Sequence, residues 1–458
     1  MRVLLLNPPG REVYIRDYFC SKTTKSNYLF HPVDLLALSG TLAEEHEVAV
    51  LDCMAEELDE PAAHRRIAEA RPDAIVSLVG AVSWEEDRRF LAREADAGRR
   101  VLAIGDVLHE DAELRLAQEP WLDAALDDFT SRDVLHLLAG ETDEVRRATF
   151  RTRAGEIVSR ALPPDGKEYR LPRPLHELFP ERGYRFSFAR RAPFATLLTD
   201  YGCPYPCTFC VIGTLGFRTR PVADVLEEID HLRAAGVREY FVMDQTFGVR
   251  RERALELCAA LEERGDTSWT AFARPDLADD ELLGAMARAG CHTVILGVES
   301  ASEELLRLYR KGVSCSEVAG AVARAKRHGL RTVGTFIVGL PEDTRESLEA
   351  SLRLAIELEL DFMSLNVAVP RFGTDFRGRA LEEGLTRREE LVMDQGGARA
   401  SLGTASLTRE EVLALKKRMV RRFYLRPGYL WRRLRDSRSV PELWGQLREG
   451  LALLARNA

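Results

Sequence analysis

ATLLTDYGCPYPCTFCVIG, residues 195–213, is the stretch on which the reading of this chain turns. It opens as a short apolar strand and continues into a loop that sets Cys203, Cys207 and Cys210 in C-x3-C-x2-C spacing, with Pro204 and Pro206 between them. Three thiolates at the carboxyl end of a strand can converge on one face of a loop. Iron–sulfur clusters are held by cysteine thiolates, and a cubane with only three protein ligands leaves one iron open for an external chelate. Structural zinc wants four closed ligands, usually cysteine pairs or histidine, and no histidine lies near this loop.

Downstream, strand-like runs alternate with helical stretches: YFVMDQ (240–245), WTAFAR (269–274), TVILGVES (293–300), TVGTFIVGL (332–340) and FMSLNVAV (362–369). With the opening ATLLTD they predict an α/β unit over 191–380, an open, partial (β/α)6 barrel of TIM type, because a closed barrel needs two further units. The intervening helices are amphipathic. PVADVLEEIDHLRAAG puts Val222, Val225, Leu226, Ile229 and Leu232 on one stripe and stops at Gly236.

Upstream, residues 1–145 alternate VLLLN, VAVLD (48–52), AIVSLV (74–79) and VLAIG (101–105) with helical segments, which predicts a doubly wound parallel sheet of Rossmann or flavodoxin-like kind. Between its first two strands lies a polar and aromatic insert, REVYIRDYFCSKTTKSNYLFHPVDLL (11–36), at the strand ends where ligand-binding loops emerge. Residues 146–190, rich in Arg and Pro, read as a linker. Residues 381–458 read as helical, with TREEVLALKKRMVRRFYLRPGYLWRRLRD (408–436) locally basic and aromatic.

The 458 residues, 45% hydrophobic and 30% charged, have the make-up of a soluble globular chain of about two or three domains. A formal net charge of −8 offers nucleic acid no global basic field, so none is expected as a partner. No apolar run approaches the roughly 20 residues of a membrane span, and MRVLLLNPPG is too short for a signal peptide. Eight scattered cysteines without an export signal point to reduced thiols in the cytoplasm.

At the cysteine loop the sequence resembles the radical S-adenosylmethionine superfamily, whose signature C-x3-C-x-aromatic-C is met here with Phe209 as the aromatic. The resemblance implies a [4Fe–4S] cluster on Cys203, Cys207 and Cys210 that reductively cleaves S-adenosylmethionine bound at its open iron. Other strand ends fit the same family. Asp244 and Gln245 in VMDQTF stand where it contacts the methionine amino group, and Glu299 and Ser300 in LGVES where it reaches the ribose. Gly334, Gly339 and Leu340 in GTFIVGLPEDT resemble its adenine-side backbone motif, and Pro370, Gly373 and Thr374 its turn after the sixth strand. Arg274 in AFARPDL fits either a role near the sulfonium carboxylate or a surface salt bridge.

The N-terminal strand pattern and LNPPG look like the cobalamin-binding domain of one large subfamily, and FYLRPGYLWRRL (423–434) resembles its C-terminal segment. That resemblance implies cobalamin at Asn7, Gly80, Ser83, Gly105 and His109. The D-x-H-x-x-G run of other cobalamin domains is absent from residues 1–145, and a merely structural domain is the competing reading. Cys20, two residues from Lys22, is a candidate reactive thiol. Cys53, Cys258, Cys291 and Cys315 read as core packing.

The chemistry so implied is methylation of an unactivated carbon on a small-molecule or lipid substrate, with a reducing partner such as flavodoxin or ferredoxin. Cyclisation, rearrangement or oxidation without methyl transfer is a second outcome in the same subfamily. A non-catalytic iron–sulfur electron carrier or redox sensor explains the cysteines but not the other strand-end residues. Tyr14, Tyr18, Phe19, Tyr28 and Phe30 of the insert either wall the substrate cavity or pack one domain on the other. The basic tail either contacts a membrane surface peripherally or folds over the barrel.

Overall fold

In the computed structural model, residues 1–163, 166–391, 393–397, 401–436 and 448–455 are described. Two large sheets form. The first has seven strands in the order Glu47–Asp52, Arg2–Asn7, Ala74–Leu78, Arg100–Ile104, Ala124–Leu126, Arg147–Arg151 and Ile157–Ala161. The first five are mutually parallel, in the 2-1-3-4-5 order of a flavodoxin-like doubly wound sheet. The last two add antiparallel pairings. The segment read as linker from residue 146 therefore begins as sheet, and the connection between the two units starts only after residue 161.

The second sheet has six parallel strands in sequence order: Phe194–Leu197, Glu239–Val242, Ser268–Ala273, Cys291–Glu299, Arg331–Val338 and Phe362–Val367. This is the open barrel expected. Its main core lies outside, between strands and helices, where Val338, Phe336 and Leu365 pack against Leu348, Leu352 and Leu360. The last two strands alternate, so that Thr335, Ile337, Phe362, Ser364 and Asn366 on the inner face keep some exposure while their neighbours are buried. In a closed barrel the interior is packed core; here these two strands keep partly exposed side chains on the lumen side.

The carboxyl ends of the two sheets face each other, and the insert lines the seam between them. Arg16 enters the crevice where the strand order reverses, between the ends of Arg2–Asn7 and Ala74–Leu78. There its guanidinium donates to Asp87 at 2.7 Å, to Ser83 Oγ at 3.0 Å, to Asn7 Oδ1 at 3.0 Å and to the carbonyls of Pro8 and Pro9. Both partners of the ion pair are fully buried. Further along, Thr23 donates to Asp394 at 2.7 Å and Lys25 Nζ reaches Ser364 and Asn366 on the inner face of the sixth barrel strand. The insert's aromatics pack the two units together: Tyr14, Tyr18, Phe19 and Phe30 are buried, and Phe30 meets Phe241 of the barrel at 5.5 Å between ring centroids.

Helices Arg409–Tyr424 and Pro427–Asp436 fold against the barrel, and residues 448–455 are helical. Residues 437–447 and 456–458 of the expected helical tail lie outside the described residues. Of the four cysteines assigned to core packing, Cys53, Cys258 and Cys291 are buried, while Cys315 is partly exposed at the start of a helix.

Removing one partner of a buried ion pair leaves an uncompensated charge. Arg16→Met is therefore expected to lower the unfolding free energy by about 3–5 kcal/mol in a urea titration. Arg16→Met with Asp87→Leu should recover much of that loss; an unchanged midpoint in the single variant would remove Arg16 from the packing of the seam.

Candidate functional site

The cysteine loop is a hairpin built off the first barrel strand. Asp200–Gly202 pairs antiparallel with Phe217–Thr219, so that residues 203–216 project as one closed loop. Gly202 is required at its neck: its φ is +76°, and a Cβ there would stand 1.6 Å from the Gly216 carbonyl oxygen. Below the neck, the fully buried Asp244 carboxylate accepts the Thr199 N–H at 2.6 Å, the Asp200 N–H at 2.9 Å and the Thr199 hydroxyl. Burial raises the Asp244 pKa, opposed chiefly by the Thr199 hydroxyl and the Asp200 amide. Arg253 braces the same turn through Asp200 at 2.9 Å and the Thr199 carbonyl at 3.0 Å. Arg218 ties the hairpin to the first domain, donating to Asp128 at 2.6 Å and lying over the Tyr201 ring.

Cys203, Cys207 and Cys210 are all partly exposed free thiols. Burial pushes Cys210 up to about 12, with the neighbouring Cys207 and Cys203 adding to the rise. Among the described residues no three Cys, His, Asp or Glu side chains close around a single ion. Two cations stand beside the loop. Arg274 is not a surface residue: it is 5% exposed, bound to Asp276 at 2.9 Å, stacked 3.7 Å from the Tyr205 centroid and 3.9 Å from Cys207 Sγ. Lys311 pairs with Glu299 at 2.8 Å. This donor set, soft thiols with cationic neighbours, suits a thiolate-held iron–sulfur cluster.

Glu299 ends the fourth strand at a break in its register with the fifth and takes a φ of +66°, a strained conformation for a glutamate. Gly297 lets the Glu299–Lys311 pair lie across the strand end, since a Cβ there would fall 2.6 Å from Lys311 Nζ and 2.7 Å from Glu299 Oε1. Gln245 folds its amide onto its own Met243 carbonyl, and Thr246 beside it stands 3.7 Å from Cys203 Sγ. Phe209 and Ile337 pack against the buried cluster of Leu340, Leu305 and Tyr309. These residues gather at the mouth of the barrel around the cysteines.

Other expected residues are engaged within the protein. Asp244 has both oxygens committed to the loop and positions it from below. Ser300 is buried, its hydroxyl accepting the Ser302 N–H. Gly334 faces the outer layer, where a Cβ would meet Leu360 at 2.5 Å. Gly339 donates its N–H to Asp343 at 3.0 Å, as does Leu340. Gly373 and Thr374 form the turn after the sixth strand, and Thr374 caps the helix Asp375–Glu382.

The five residues expected around a corrinoid are engaged within the protein. Asn7 and Ser83 serve Arg16, Asp52 and Asp87. Gly80 has Ser21 against it, and a Cβ on Gly105 would fall 1.7 Å from the Val79 carbonyl oxygen. His109 is hydrogen-bonded to the Tyr18 carbonyl, and burial pushes its pKa down to about 4. The seam holds groups that were not expected: Arg371, 8% exposed, lies 3.8 Å from Asp106 and has a buried Nη2 without a hydrogen-bond partner. Cys20 Sγ stands 3.0 Å from Gln395 Nε2 and 3.7 Å from Lys22 Nζ. Burial raises the Cys20 pKa, outweighing the opposing pull of Arg371 and Lys22 that alone would have made it reactive. Only its turn position in VPRFG could have drawn attention to Arg371.

Residues 198–355 match the Radical SAM superfamily. Over 448 residues, 94% of this chain and 94% of the relative, the chain is 28% identical to an uncharacterized methyltransferase of Pyrococcus horikoshii. It is 27% identical, over 48% of this chain and 43% of the relative, to the cytidylyl-2-hydroxyethylphosphonate methyltransferase of Streptomyces wedmorensis. The fold is similar to that of OxsB, a cobalamin-dependent S-adenosylmethionine radical enzyme with aqua-cobalamin and S-adenosylmethionine bound. The TM-score is 0.71 over 99% of this chain and 71% of that one, at 17% identity. The methyltransferase TsrM from Kitasatospora setae, with cobalamin and a [4Fe-4S] cluster bound, aligns at TM-score 0.66 over 87% of this chain and 76% of that one, at 19% identity.

Replacing Asp244 by Ala strands three buried donors at the neck of the hairpin. The expected result is a loss of about 3–5 kcal/mol in unfolding free energy. Iron content after anaerobic reconstitution should fall to less than half of the wild-type value, with Asp244→Asn intermediate in both. Full iron loading in Asp244→Ala would show that the hairpin does not rely on this carboxylate.

Proposed function

We propose that this chain, whose residues 198–355 match the Radical SAM superfamily, is a radical SAM enzyme that transfers a methyl group to an unactivated carbon, assisted by cobalamin bound in the seam between the two sheets. The observation that carries this reading is the meeting of the two sheets at their carboxyl ends. Segments following strands of the first sheet contact segments following the sixth barrel strand, as in Arg371 with Asp106 and Arg377 with Glu110 at 2.9 Å. The methyltransferase relatives and the fold shared with OxsB and TsrM support it.

Cys203, Cys207 and Cys210 would hold a [4Fe–4S] cluster, with Phe209, Gln245 and Glu299 at the rim for S-adenosylmethionine. A corrinoid would lie in the seam against Arg371, whose unpartnered Nη2 is a donor for one of its amides. When bound, these groups supply one electron to the sulfonium and a transferable methyl group. The protein's own part is orientation and exclusion. Lys311 and Arg274 would offset part of the charge of the thiolates while paired with Glu299 and Asp276. The Glu299 carboxylate, held by Lys311, presents its second oxygen as an acceptor for a ribose hydroxyl. Phe209, Leu340, Ile337 and Tyr309 exclude water from the mouth, where a reactive radical must be protected. The lumen wall of Thr335, Ile337, Ser364 and Asn366, with Lys25, would hold the substrate against that mouth.

Anaerobic reconstitution with iron, sulfide and hydroxocobalamin tests this reading. Expected are stoichiometric corrinoid, reductive formation of 5′-deoxyadenosine from S-adenosylmethionine, and S-adenosylhomocysteine with a product heavier by one methyl group. Cys203, Cys207 and Cys210 replaced together by Ala should abolish both the brown thiolate–iron absorbance and 5′-deoxyadenosine. Product of unchanged methyl count would replace methyl transfer by cyclisation or rearrangement, and absence of 5′-deoxyadenosine in the wild type would favour an electron carrier.

A further inference from the structure

The segment 408–436 carries ten Lys and Arg against three Asp and Glu, in a chain whose net charge is −8. The structure sorts these charges by face. On helix Arg409–Tyr424, Val412, Leu415, Lys416, Met419, Val420 and Phe423 turn inward, and Lys417, Arg418, Arg421 and Arg422 are exposed. On helix Pro427–Asp436, Tyr429 faces the barrel and donates to the Asp361 carbonyl at 3.1 Å, while Arg433 lies 5.1 Å from the Phe362 centroid. The opposite side shows Leu430 at 46%, Trp431 at 68% and Leu434 at 54% exposure, and Leu425, at 50%, lies in the turn between the two helices. Singly exposed leucines are ordinary on protein surfaces; a tryptophan and three leucines within ten residues, beside a row of arginines, are not.

We propose that this surface docks on an anionic lipid bilayer, with Trp431, Leu430, Leu434 and Leu425 entering the headgroup boundary and Lys417, Arg418, Arg421 and Arg422 meeting the phosphates. Charge complementarity selects this partner. Interfacial helices combine an apolar stripe containing tryptophan with basic flanks, and polybasic segments gain affinity for anionic lipid near the membrane surface. The acidic residues of the neighbourhood are largely turned to other duties: Glu359 is bound by Arg432 and Lys326, Asp361 by Arg433, and Glu411 caps its own helix at Thr408. The docking surface adjoins the start of the sixth barrel strand, where Phe362 and Phe188 meet at 5.1 Å between centroids, at the end of the lumen remote from the cysteines. It rests on different residues from the cofactor sites, so its failure and theirs are separable.

The test is flotation of the full-length, reconstituted protein with vesicles of phosphatidylglycerol and phosphatidylcholine, against phosphatidylcholine alone. Wild type is expected to float at least about tenfold more with the anionic vesicles and to be released by 0.5 M salt, because screening weakens surface electrostatics. Trp431→Glu with Leu434→Glu should abolish flotation, and Arg421→Glu with Arg422→Glu should remove the anionic preference, while all keep wild-type iron content and 5′-deoxyadenosine formation. Equal recovery with both vesicle types, or flotation unaffected by the Trp431/Leu434 variant, would overturn the proposal. So would loss of a self-associated species in that variant without any vesicle binding by the wild type, which would make the patch an interface between copies of this chain.

Discussion

Everything at the candidate site hangs from one buried carboxylate. Asp244 sits at the end of the second barrel strand and gathers the Thr199 and Asp200 amides with the Thr199 hydroxyl. That turn fixes the direction in which the hairpin leaves the first strand, and with it the height of three thiols above the barrel. The arrangement is economical in covalent terms, since no disulfide is needed to shape the loop. It depends instead on exclusion of water from a carboxylate that, among the described residues, has no cation in direct contact. Fixed hydrogen bonds in such surroundings are stiffer than solvated ones.

The insert after the first strand plays the corresponding part between the domains. Its guanidinium, Arg16, occupies the crevice at which doubly wound sheets commonly take ligands. The same insert reaches Asp394 and the sixth barrel strand, so one segment of about twenty residues sets the spacing of both sheets.

Much of this was legible in the sequence because its signals were local. Cysteine spacing identified the loop, and apolar runs of five or more residues bounded by helical stretches identified ten of the strands. What escaped were short or polar strands. Ala124–Leu126 has three residues, too few for a pattern, and Arg147–Arg151 and Ile157–Ala161 alternate with arginine in a segment that composition makes look like a connection. At the site, position along a strand was readable but facing was not. Gly334 and Asp244 stand where expected in the chain yet turn toward the outer helices and the loop neck, because a step of one residue reverses a strand's side. Lys311 was missed and Arg274 left between two roles for the opposite reason: arginine and lysine are common on surfaces, and only the fold reveals that these two are buried beside the thiols.

The inner face of the last two barrel strands is where this fold differs most from a closed barrel. There the burden of cohesion rests on the outer side, with Phe336, Val338 and Leu365, and the inward side chains Thr335, Ile337, Ser364 and Asn366 are partly exposed. Residues that hold the molecule together and residues left partly open thus alternate along the same strand, so a substitution at Thr335, Ser364 or Asn366 alters the inner face without removing a side chain from the outer core.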